Sequence, residues 1–415
     1  MVGGTQVTAS AAMMPLIPLF AVSRGATPAM VGLIAASAAA LPLLFAIWTG
    51  VAADVIGPRR LSIVSSLVLA GATAWIAAAP TMPLLMVGTA VAGLATNALI
   101  LATQTSVAHA SRPDNRDRNF GLFAFWISTG QLIGPPLGGW LADARSIQTA
   151  IFACAAIGLL PGLAALWLPV SAPRPTGTDE LGRGLRADDA YRSAWRLARR
   201  PDLQFIMLVA FVIIFAWSIK SSFYPLYLQM VGIPTSLIGM IFSILGAGSM
   251  VVRPMVGVVA ARWGTQRVLM ASVAAATVAI GVTPFLIHFW PLAVAATATG
   301  MAWGFTQPLT MSLVAGSVAP GDRGLALSLR MTSNRLAELI SPIVFGGLVA
   351  MAGLGSAFFL SAGVLSVGLW VVARFAGAAT EALPEAQTDT VARARPTPAT
   401  VGPRDRPAPA SPDRR

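Results

Sequence analysis

The chain has 415 residues, of which 56% are hydrophobic and only 11% are charged, with a formal net charge of +12. Soluble domains carry roughly 25% charged residues, so a chain of this length cannot cover a water-facing surface with so few. The composition therefore excludes a soluble globular protein and indicates that a lipid bilayer is its solvent.

The positive charge and the cysteine content exclude further classes. Most arginines sit in short loops between apolar runs, without the aromatic-interleaved basic surface of a nucleic-acid-binding protein, so we expect no nucleic-acid partner. The single cysteine, Cys154, excludes an internal disulfide and a cysteine metal cluster. The chain also has no Walker loop and no nucleophile triad, so we expect neither an enzyme nor a bound metal or cofactor.

Apolar runs of about 20 residues, long enough to cross ~30 Å of hydrocarbon, follow one another with short polar breaks. They predict an all-α membrane protein with twelve transmembrane helices. The predicted spans are helix 1 (Gly4–Val22), helix 2 (Pro28–Ala52), helix 3 (Leu61–Ala79), helix 4 (Pro83–His109), helix 5 (Asn119–Ala142), helix 6 (Ile147–Leu168), helix 7 (Leu203–Met230), helix 8 (Thr235–Ala260), helix 9 (Arg267–His288), helix 10 (Pro291–Val318), helix 11 (Gly324–Met351) and helix 12 (Ala357–Phe375).

The spans divide into two six-helix bundles, residues 1–168 and 203–377, joined by a polar cytoplasmic linker, 169–202. A tail, 378–415, follows the second bundle. The tail is rich in Pro, Ala, Thr, Arg and Asp and has no apolar periodicity, so we expect it to be disordered in the cytoplasm.

The two bundles are related by an internal repeat. A shift of 207 positions carries Gly50 onto Gly257, and six glycines of the first half then coincide with glycines of the second, where chance gives roughly two. An ungapped six-plus-six repeat predicts two bundles related by an axis along the membrane normal. The same shift carries the start of helix 7 to a position before Met1, which raises the hypothesis that the natural chain begins upstream.

Arginine sets the predicted orientation. It is concentrated in the loops that follow even-numbered helices, and only Arg24 and Arg145 lie in the loops on the opposite side. The positive-inside rule therefore places both termini in the cytoplasm. Lys220 is the only lysine, and this bias, with the abundance of alanine, indicates a GC-rich bacterial gene. We expect a monomer in the bacterial inner membrane.

The loop after helix 2 runs from Gly50 through Asp54 and Gly57 to Arg59 and Arg60. It resembles the G-x-x-x-D-x-x-G-x-R-R signature loop of the major facilitator superfamily of secondary transporters. Gly50 allows close helix approach, Gly57 permits a tight turn, and the arginines hold the loop inside. The resemblance implies that Asp54 lies near the N-terminus of helix 11 and locks the cytoplasmic gate. The alternative is a topological turn with an incidental acid.

Helix 5 contains Gly130, Gly134, Pro135, Gly138 and Gly139 in the order G-x-x-x-G-P-x-x-G-G. This pattern resembles the signature of the proton-coupled drug antiporters within the superfamily. Glycines at four-residue spacing share one helix face and allow close helix contact, and proline bends the helix. The resemblance implies that this surface packs across the interface between the bundles and helps to seal the outer side. The alternative is generic small-residue packing.

Few ionisable groups fall deep inside the predicted helices, where each costs at least ~2.5 kcal/mol. Glu338 is the only deep acid, which makes it the candidate proton carrier, and Arg335 lies three residues before it on the same face. A purely structural ion pair is the alternative. Arg253 is expected to be interfacial or to pair at a gate, and Asp143, at the outer edge of helix 5, is expected to be solvated.

Lys220 lies in the outer part of helix 7, close to Trp217 and Tyr224. Its two interpretations are snorkelling to the outer interface and a cavity cation that binds an anionic substrate group. Further candidates for a midplane cavity, or alternatively for helix-packing hydrogen bonds, are Asn97, Gln131, Trp303, Gln307 and Asn334.

These features favour a secondary active transporter that exports a small amphiphilic or drug-like compound by alternating access, coupled to protons. Its partners would be the small-molecule substrate, protons and the lipid bilayer. The alternative is a proton-coupled carrier of an organic anion, by uptake or exchange, for which Lys220 and Arg335 argue. A non-transporting membrane sensor is a third hypothesis, and the gate loop argues against it.

Overall fold

The computed structural model describes residues 2–45, 48–49, 52, 56–111, 116–167, 195–318 and 323–394. Regular secondary structure in these ranges is helical, as expected in lipid, where a helix satisfies every backbone N–H and C=O within its own segment. The helices are helix 1 (Val2–Ser23), helix 2 (Pro28–Leu44), helix 3 (Pro58–Ala78), helix 4 (Met82–Ala110), helix 5 (Arg116–Ala144), helix 6 (Ile147–Ile157 and Leu160–Ala165), helix 7 (Pro201–Met230), helix 8 (Thr235–Val252 and Val256–Trp263), helix 9 (Thr265–Gly281), helix 10 (Phe289–Ser317), helix 11 (Arg323–Ala352) and helix 12 (Leu354–Ala394).

The twelve predicted spans are present. In the described part of the chain, eight of these helices are long and apolar enough to cross a bilayer, and helices 2 and 9 are apolar but shorter. Helices 5 and 10 have 29 residues each, which at 1.5 Å per residue exceeds the thickness of the hydrocarbon core. The prediction of an all-α membrane protein built from two six-helix bundles is confirmed.

Two helices of the second bundle depart from their predicted lengths for a local reason. Helix 8 is interrupted by a 3-10 turn, Arg253–Met255, because Pro254 lacks the N–H that a continuous helix needs. Helix 9 ends at Gly281 instead of His288, since a second 3-10 turn, Thr283–Phe285, carries another proline.

The segment after helix 12 also differs from its prediction. We expected the helix to end at Phe375 and residues 378–415 to lack regular structure. The helix instead continues to Ala394. The segment contains several alanines and two glutamates, which are strong helix formers, so local propensity extends the helix without any apolar periodicity. Residues 395–415 lie outside the described part of the chain.

The repeat appears in the backbone conformation. Gly25 and Gly232 have φ of 83° and 84°, and Gly57 and Gly264 have φ of 84° and 85°. Both pairs are related by the shift of 207 positions. Only glycine adopts this left-handed region at little cost, so the same turns recur where the same glycines recur. The parallel six-plus-six repeat is therefore structural as well as sequential.

The bundles meet along two seams, helix 5 against helix 8 and helix 2 against helix 11. At both seams a Cβ on glycine would overlap or crowd the opposing backbone. The pairs are Gly32 with Pro342, Gly239 with Pro135, Gly139 with Thr235, and Gly346 with Pro28. All four lie towards the end where helices 2 and 8 begin. We call this the arginine-poor end, because Arg24 and Arg145 are the only arginines in its loops. The opposite end is the arginine-rich end. The bundles are closed at the arginine-poor end.

Candidate substrate cavity and seams

A cavity of about 340 Å³ lies between the bundles. Helices 1 to 4 of the first bundle and helices 7 and 11 of the second form its wall. Ten of the 23 residues that line it are alanine, methionine or isoleucine, and hydroxyl groups are spaced among them. The groups able to recognise a polar ligand are Ser10, Thr73, Thr89, Thr96, Asn97, Trp217, Ser218, Ser221, Ser222, Arg335 and Glu338.

Arg335 and Glu338 form an ion pair on this wall. Arg335 Nη1 donates to Glu338 Oε2 at 2.6 Å, and the two side chains are 26% and 30% exposed. Arg335 Nη2 also donates to Asn97 Oδ1 at 2.8 Å. Because Asn97 belongs to helix 4, the arginine of helix 11 is bonded to both bundles. The predicted pairing along one helix face is present, and the sequence did not indicate its link to Asn97.

Trp217 and Trp303 stack, with ring centroids 4.7 Å apart and planes 12° from parallel. Trp217 lines the cavity, whereas Trp303 lies behind it on helix 10 with its indole N–H buried and without a hydrogen-bond partner among the described residues. Asn334 is buried beside the ion pair, and its Oδ1 also has no partner there. The tryptophan pair gives the second bundle a rigid aromatic surface next to the cavity.

Lys220 does not lie where either interpretation placed it. Its side chain is fully buried, Nζ donates to Thr299 Oγ1 at 2.8 Å, and Nζ is 4.9 Å from the ring centroid of Tyr224. The residues that line the cavity include Trp217 on the same helix but neither Lys220 nor Tyr224. Helix 7 is buried on several sides, so position 220 faces helix 10 inside the second bundle. Lys220 is therefore neither an interfacial lysine nor a cavity cation in this conformation.

Gln131 and Gln307 also lie away from the cavity wall. Gln131 packs against Gly246 of helix 8 at the seam. Gln307 accepts a hydrogen bond from Arg330 Nη2 at 2.5 Å, and Arg330 Nε donates to Thr310 Oγ1 at 2.9 Å. Arg330 is 1% exposed, and sequence reasoning missed it. Its position inside predicted helix 11 was the available signal, but a charge near a helix start is equally typical of a snorkelling side chain.

The glycines of the helix 5 signature divide between two partners. A Cβ on Gly130, Gly134 or Gly138 would crowd the backbone of helix 1 between Gly4 and Ala12, within the first bundle. The implied role of this face across the interface is therefore wrong. Pro135 and Gly139, on the neighbouring face, do meet helix 8 across the seam. One face of the signature thus packs the first bundle, and the other closes the molecule.

Polar side chains cross the helix 5–helix 8 seam along its length. Arg253 Nη1 donates to Ser128 Oγ at 3.1 Å, and the hydroxyl of Ser243 donates to the carbonyl of Leu132. Asp143 accepts two backbone hydrogen bonds from the first turn of helix 8. Arg253 accordingly bonds to the first bundle across the seam, and its expected interfacial or gate role stays a prediction, whereas Asp143 is bonded rather than merely solvated.

The model of the Major Facilitator Superfamily matches residues 2–286 and 206–410. This chain belongs to the Major Facilitator Superfamily. Its two matches together cover both six-helix bundles, in agreement with the internal repeat of this superfamily member.

Curated relatives lie among drug-resistance members of the superfamily. The chain is 24% identical over 340 residues to the tetracycline resistance protein, class H, of Pasteurella multocida, covering 80% of this chain and 83% of that protein. It is 21% identical over 215 residues to the quinolone resistance protein NorA of Staphylococcus aureus, covering 52% of this chain and 53% of NorA. The second match thus spans about half the length of NorA.

Solved transporters share the superfamily fold. The nucleoside transporter NupG aligns with a TM-score of 0.77 at 15% identity, covering 90% of this chain and 98% of that one. A transporter of the POT family in complex with 5-aminolevulinic acid aligns with a TM-score of 0.75 at 12% identity, covering 91% and 95%. At these identities the likeness concerns the fold alone.

The superfamily's gate loop is only partly described. Asp54 and Gly50 lie outside the described residues. Gly57 has the positive φ that a tight turn requires, and Arg59 and Arg60 fall in the first turn of helix 3. The predicted contact of Asp54 with helix 11 stays a prediction.

Proposed function

We propose that this protein exports a small amphiphilic or drug-like compound from the bacterial cytoplasm in exchange for protons, by alternating access. The observation that carries the proposal is the Arg335–Glu338 ion pair on the wall of a cavity between the two bundles. Charges inside a bilayer are costly and mark substrate pathways or proton relays. In the proposed cycle, the carboxylate on this wall takes up a proton on one side of the membrane and releases it on the other.

Glu338 is the proposed proton carrier. A proton bound to Glu338 removes the charge that faces Arg335 at 2.6 Å, and it leaves Asn97 of the first bundle as the arginine's remaining partner. Because the contact with Asn97 joins the bundles, the protonation state of Glu338 and the relative position of the bundles are coupled. A ligand or proton shifts such an equilibrium only through a contact that differs between the two states, as this one does.

The composition of the wall supports an amphiphilic substrate. Its alanine, methionine and isoleucine side chains offer apolar contact, Trp217 adds an aromatic face, and the hydroxyl groups accept or donate single hydrogen bonds. The cavity is of the size that holds drug-sized ligands. Arg335 and Glu338 balance each other in charge, so the wall carries no excess negative charge to select a strictly cationic compound.

Export is supported by the curated relatives and by helix 5. Both relatives are named for resistance to antibacterial compounds, tetracycline in one and quinolones in the other. Helix 5 carries a signature that resembles that of the proton-coupled drug antiporters. The arginine distribution supports an inner-membrane protein with both termini in the cytoplasm, so that the arginine-rich end faces inward.

The test uses inside-out membrane vesicles with an imposed pH gradient, acid inside. The protein is first expressed in an efflux-deficient host to identify the tetracyclines, quinolones or other amphiphiles to which it confers resistance. A radiolabelled form of one such compound is the probe. We expect wild-type vesicles to accumulate it only with the gradient. Glu338→Gln keeps shape and hydrogen bonding but cannot ionise, so accumulation falls at least about tenfold while passive exchange of the probe continues.

Asp202→Asn is the matched control. Asp202 forms an ion pair with Arg200 at 2.8 Å at the arginine-rich end of helix 7, away from the cavity, so its amide variant should accumulate the probe normally. Undiminished concentrative transport by Glu338→Gln would eliminate Glu338 as the carrier. Accumulation of an organic anion by right-side-out vesicles, with no accumulation in inside-out ones, would establish the anion carrier instead.

A further inference from the structure

Asp143 caps a helix that belongs to the other bundle. Its Oδ1 accepts from the backbone N–H of Thr235 at 3.2 Å, and its Oδ2 accepts from the N–H of Ser236 at 2.7 Å. The first N–H groups of a helix have no partner within it, and a carboxylate also meets the positive end of the helix dipole there. Helix 8 has Pro234 at its N-cap, and that residue supplies no side-chain cap. Helix 8 thus receives its cap from helix 5.

The start of helix 2, which the repeat relates to the start of helix 8, is capped in a different way. Helix 2 is capped within its own bundle, because Thr27 Oγ1 accepts from the N–H of Met30 at 3.4 Å. Its first helical residue is Pro28, which has no N–H to satisfy. The residue of helix 11 that corresponds to Asp143 under the shift of 207 is Ala350. The helix 2–helix 11 seam therefore has neither the carboxylate nor one of the two donors.

The cap coincides with the tightest part of the seam. A Cβ on Gly139, one turn before Asp143, would overlap the carbonyl of Thr235, the residue that donates to Asp143. The two bonds can form only while helices 5 and 8 touch at the arginine-poor end. Separation of the bundles there removes both bonds and leaves two N–H groups of helix 8 to water. The cap therefore has a different free energy in the closed and the open state, which is the condition for shifting their populations.

We propose that Asp143 is a positioning residue that selectively stabilises the conformation closed at the arginine-poor end, by capping helix 8 from the opposite bundle. It acts on one of the two repeat-related seams, so the closed state is held asymmetrically, at helices 5 and 8. The inference rests on alternating access, which is part of the proposed function, and it holds for any substrate, direction or coupling ion.

The test measures the distance between the bundles in the full-length protein. Thr81 and His288 are exposed N-cap residues without a side-chain cap bond, one in each bundle at the arginine-poor end, and the shift of 207 relates them. Nitroxide labels at Thr81→Cys and His288→Cys, in a Cys154→Ser background, report the distance by pulsed EPR in lipid nanodiscs. Replacing a capping side chain by alanine costs about 0.5–2 kcal/mol, so we expect Asp143→Ala to lower the closed-to-open ratio roughly twofold to thirtyfold.

Asp143→Asn is the second variant, because an amide oxygen still accepts one of the two bonds and the fold is disturbed less. We expect it to lower the closed-to-open ratio by less than alanine does. Thr27→Ala is the matched control: it removes a helix cap of the same kind within one bundle, so the distance distribution should stay that of the wild type. Wild-type distributions in both Asp143 variants, or an equal shift in Thr27→Ala, would overturn the proposal. Neither outcome depends on transport activity.

Discussion

The two seams between the bundles share their backbone contacts and differ in their polar ones. Gly32 against Pro342 in the helix 2–helix 11 seam is the repeat image of Gly239 against Pro135 in the helix 5–helix 8 seam. In the latter, three polar side chains also cross between the bundles. In the described part of the chain, no side chain of Pro28–Leu44 forms a hydrogen bond with helix 11. Both seams are therefore closely packed, whereas among the described residues side-chain hydrogen bonds cross only the helix 5–helix 8 seam.

This difference affects how much free energy is lost when each seam separates. Hydrogen bonds in an apolar setting have strict geometry, and a broken one leaves a costly unpaired group, whereas glycine–proline contacts can slide with less loss. Helix 11 carries the Arg335–Glu338 pair and belongs to the seam without polar bonds. The charged pair therefore lies on the helix that forms the seam with fewer polar contacts to break when the bundles separate.

The largest expected effect comes from blocking closure at either seam. Gly239→Ala and Gly32→Ala each place a methyl group on the opposing proline carbonyl, and overpacking of about 1–3 kcal/mol shifts a two-state equilibrium by roughly fivefold to more than a hundredfold. Transport should fall at least about fivefold in both variants, and the Thr81–His288 distance should lengthen. Gly347→Ala is the control, because a Cβ there meets nothing within 4 Å. Normal closure in either seam variant would contradict the role of these contacts.

A substitution of Asp54 tests closure at the arginine-rich end. Asp54→Asn removes a charge without a change of size, so we expect transport to slow about tenfold. Membrane insertion should be normal, and the Thr81–His288 distances should remain those of the conformation closed at the arginine-poor end. The reason is the predicted attraction between Asp54 and the N-terminus of helix 11, which stabilises closure at the arginine-rich end. Proteoliposome transport and surface expression measure the two effects. Wild-type turnover would mean that the loop is a topological turn.

A smaller effect is expected from Asn97. Asn97→Ala leaves the ion pair intact and removes its bond to the first bundle, so transport should slow by about threefold to tenfold, within the ~0.5–1.5 kcal/mol that a typical hydrogen bond contributes. Asn97→Asp keeps an acceptor for Arg335 and should preserve that contact. Initial rates in proteoliposomes distinguish the variants, and equal loss in both would argue that the bond across the bundles is incidental.

The smallest effect is predicted for Lys220, which lies off both seams and off the cavity wall. Lys220→Met keeps length and removes a buried ammonium group whose described polar contacts are Thr299 and the Tyr224 ring. Replacing buried charge by well-packed apolar side chains is often neutral or stabilising by ~1 kcal/mol or more, so the melting temperature should stay or rise. Apparent substrate affinity should not change, whereas Trp217→Ala should weaken it. A weaker affinity in Lys220→Met would restore Lys220 as a substrate contact.

The sequence by itself determined the features that depend on one segment at a time. Run length and polarity define the spans, because a helix that crosses ~30 Å of hydrocarbon must be apolar over about 20 residues. The signature loop predicts a tight turn at Gly57, since a positive φ is a local requirement, and the repeat-related Gly264 has nearly the same φ. The Arg335–Glu338 pair follows from three-residue spacing on one helix.

Tertiary structure alone decided which neighbour each helix face meets. Periodicity shows that Gly130, Gly134 and Gly138 share a face, but their partner is helix 1 and not the opposite bundle. It places Lys220 in the outer part of helix 7, but only packing turns it towards Thr299. Asp143 looks like a solvated residue at a helix end, and the cap it forms requires a second helix from 92 residues further along the chain. Such contacts depend on the docking of helices, and no local pattern encodes that docking.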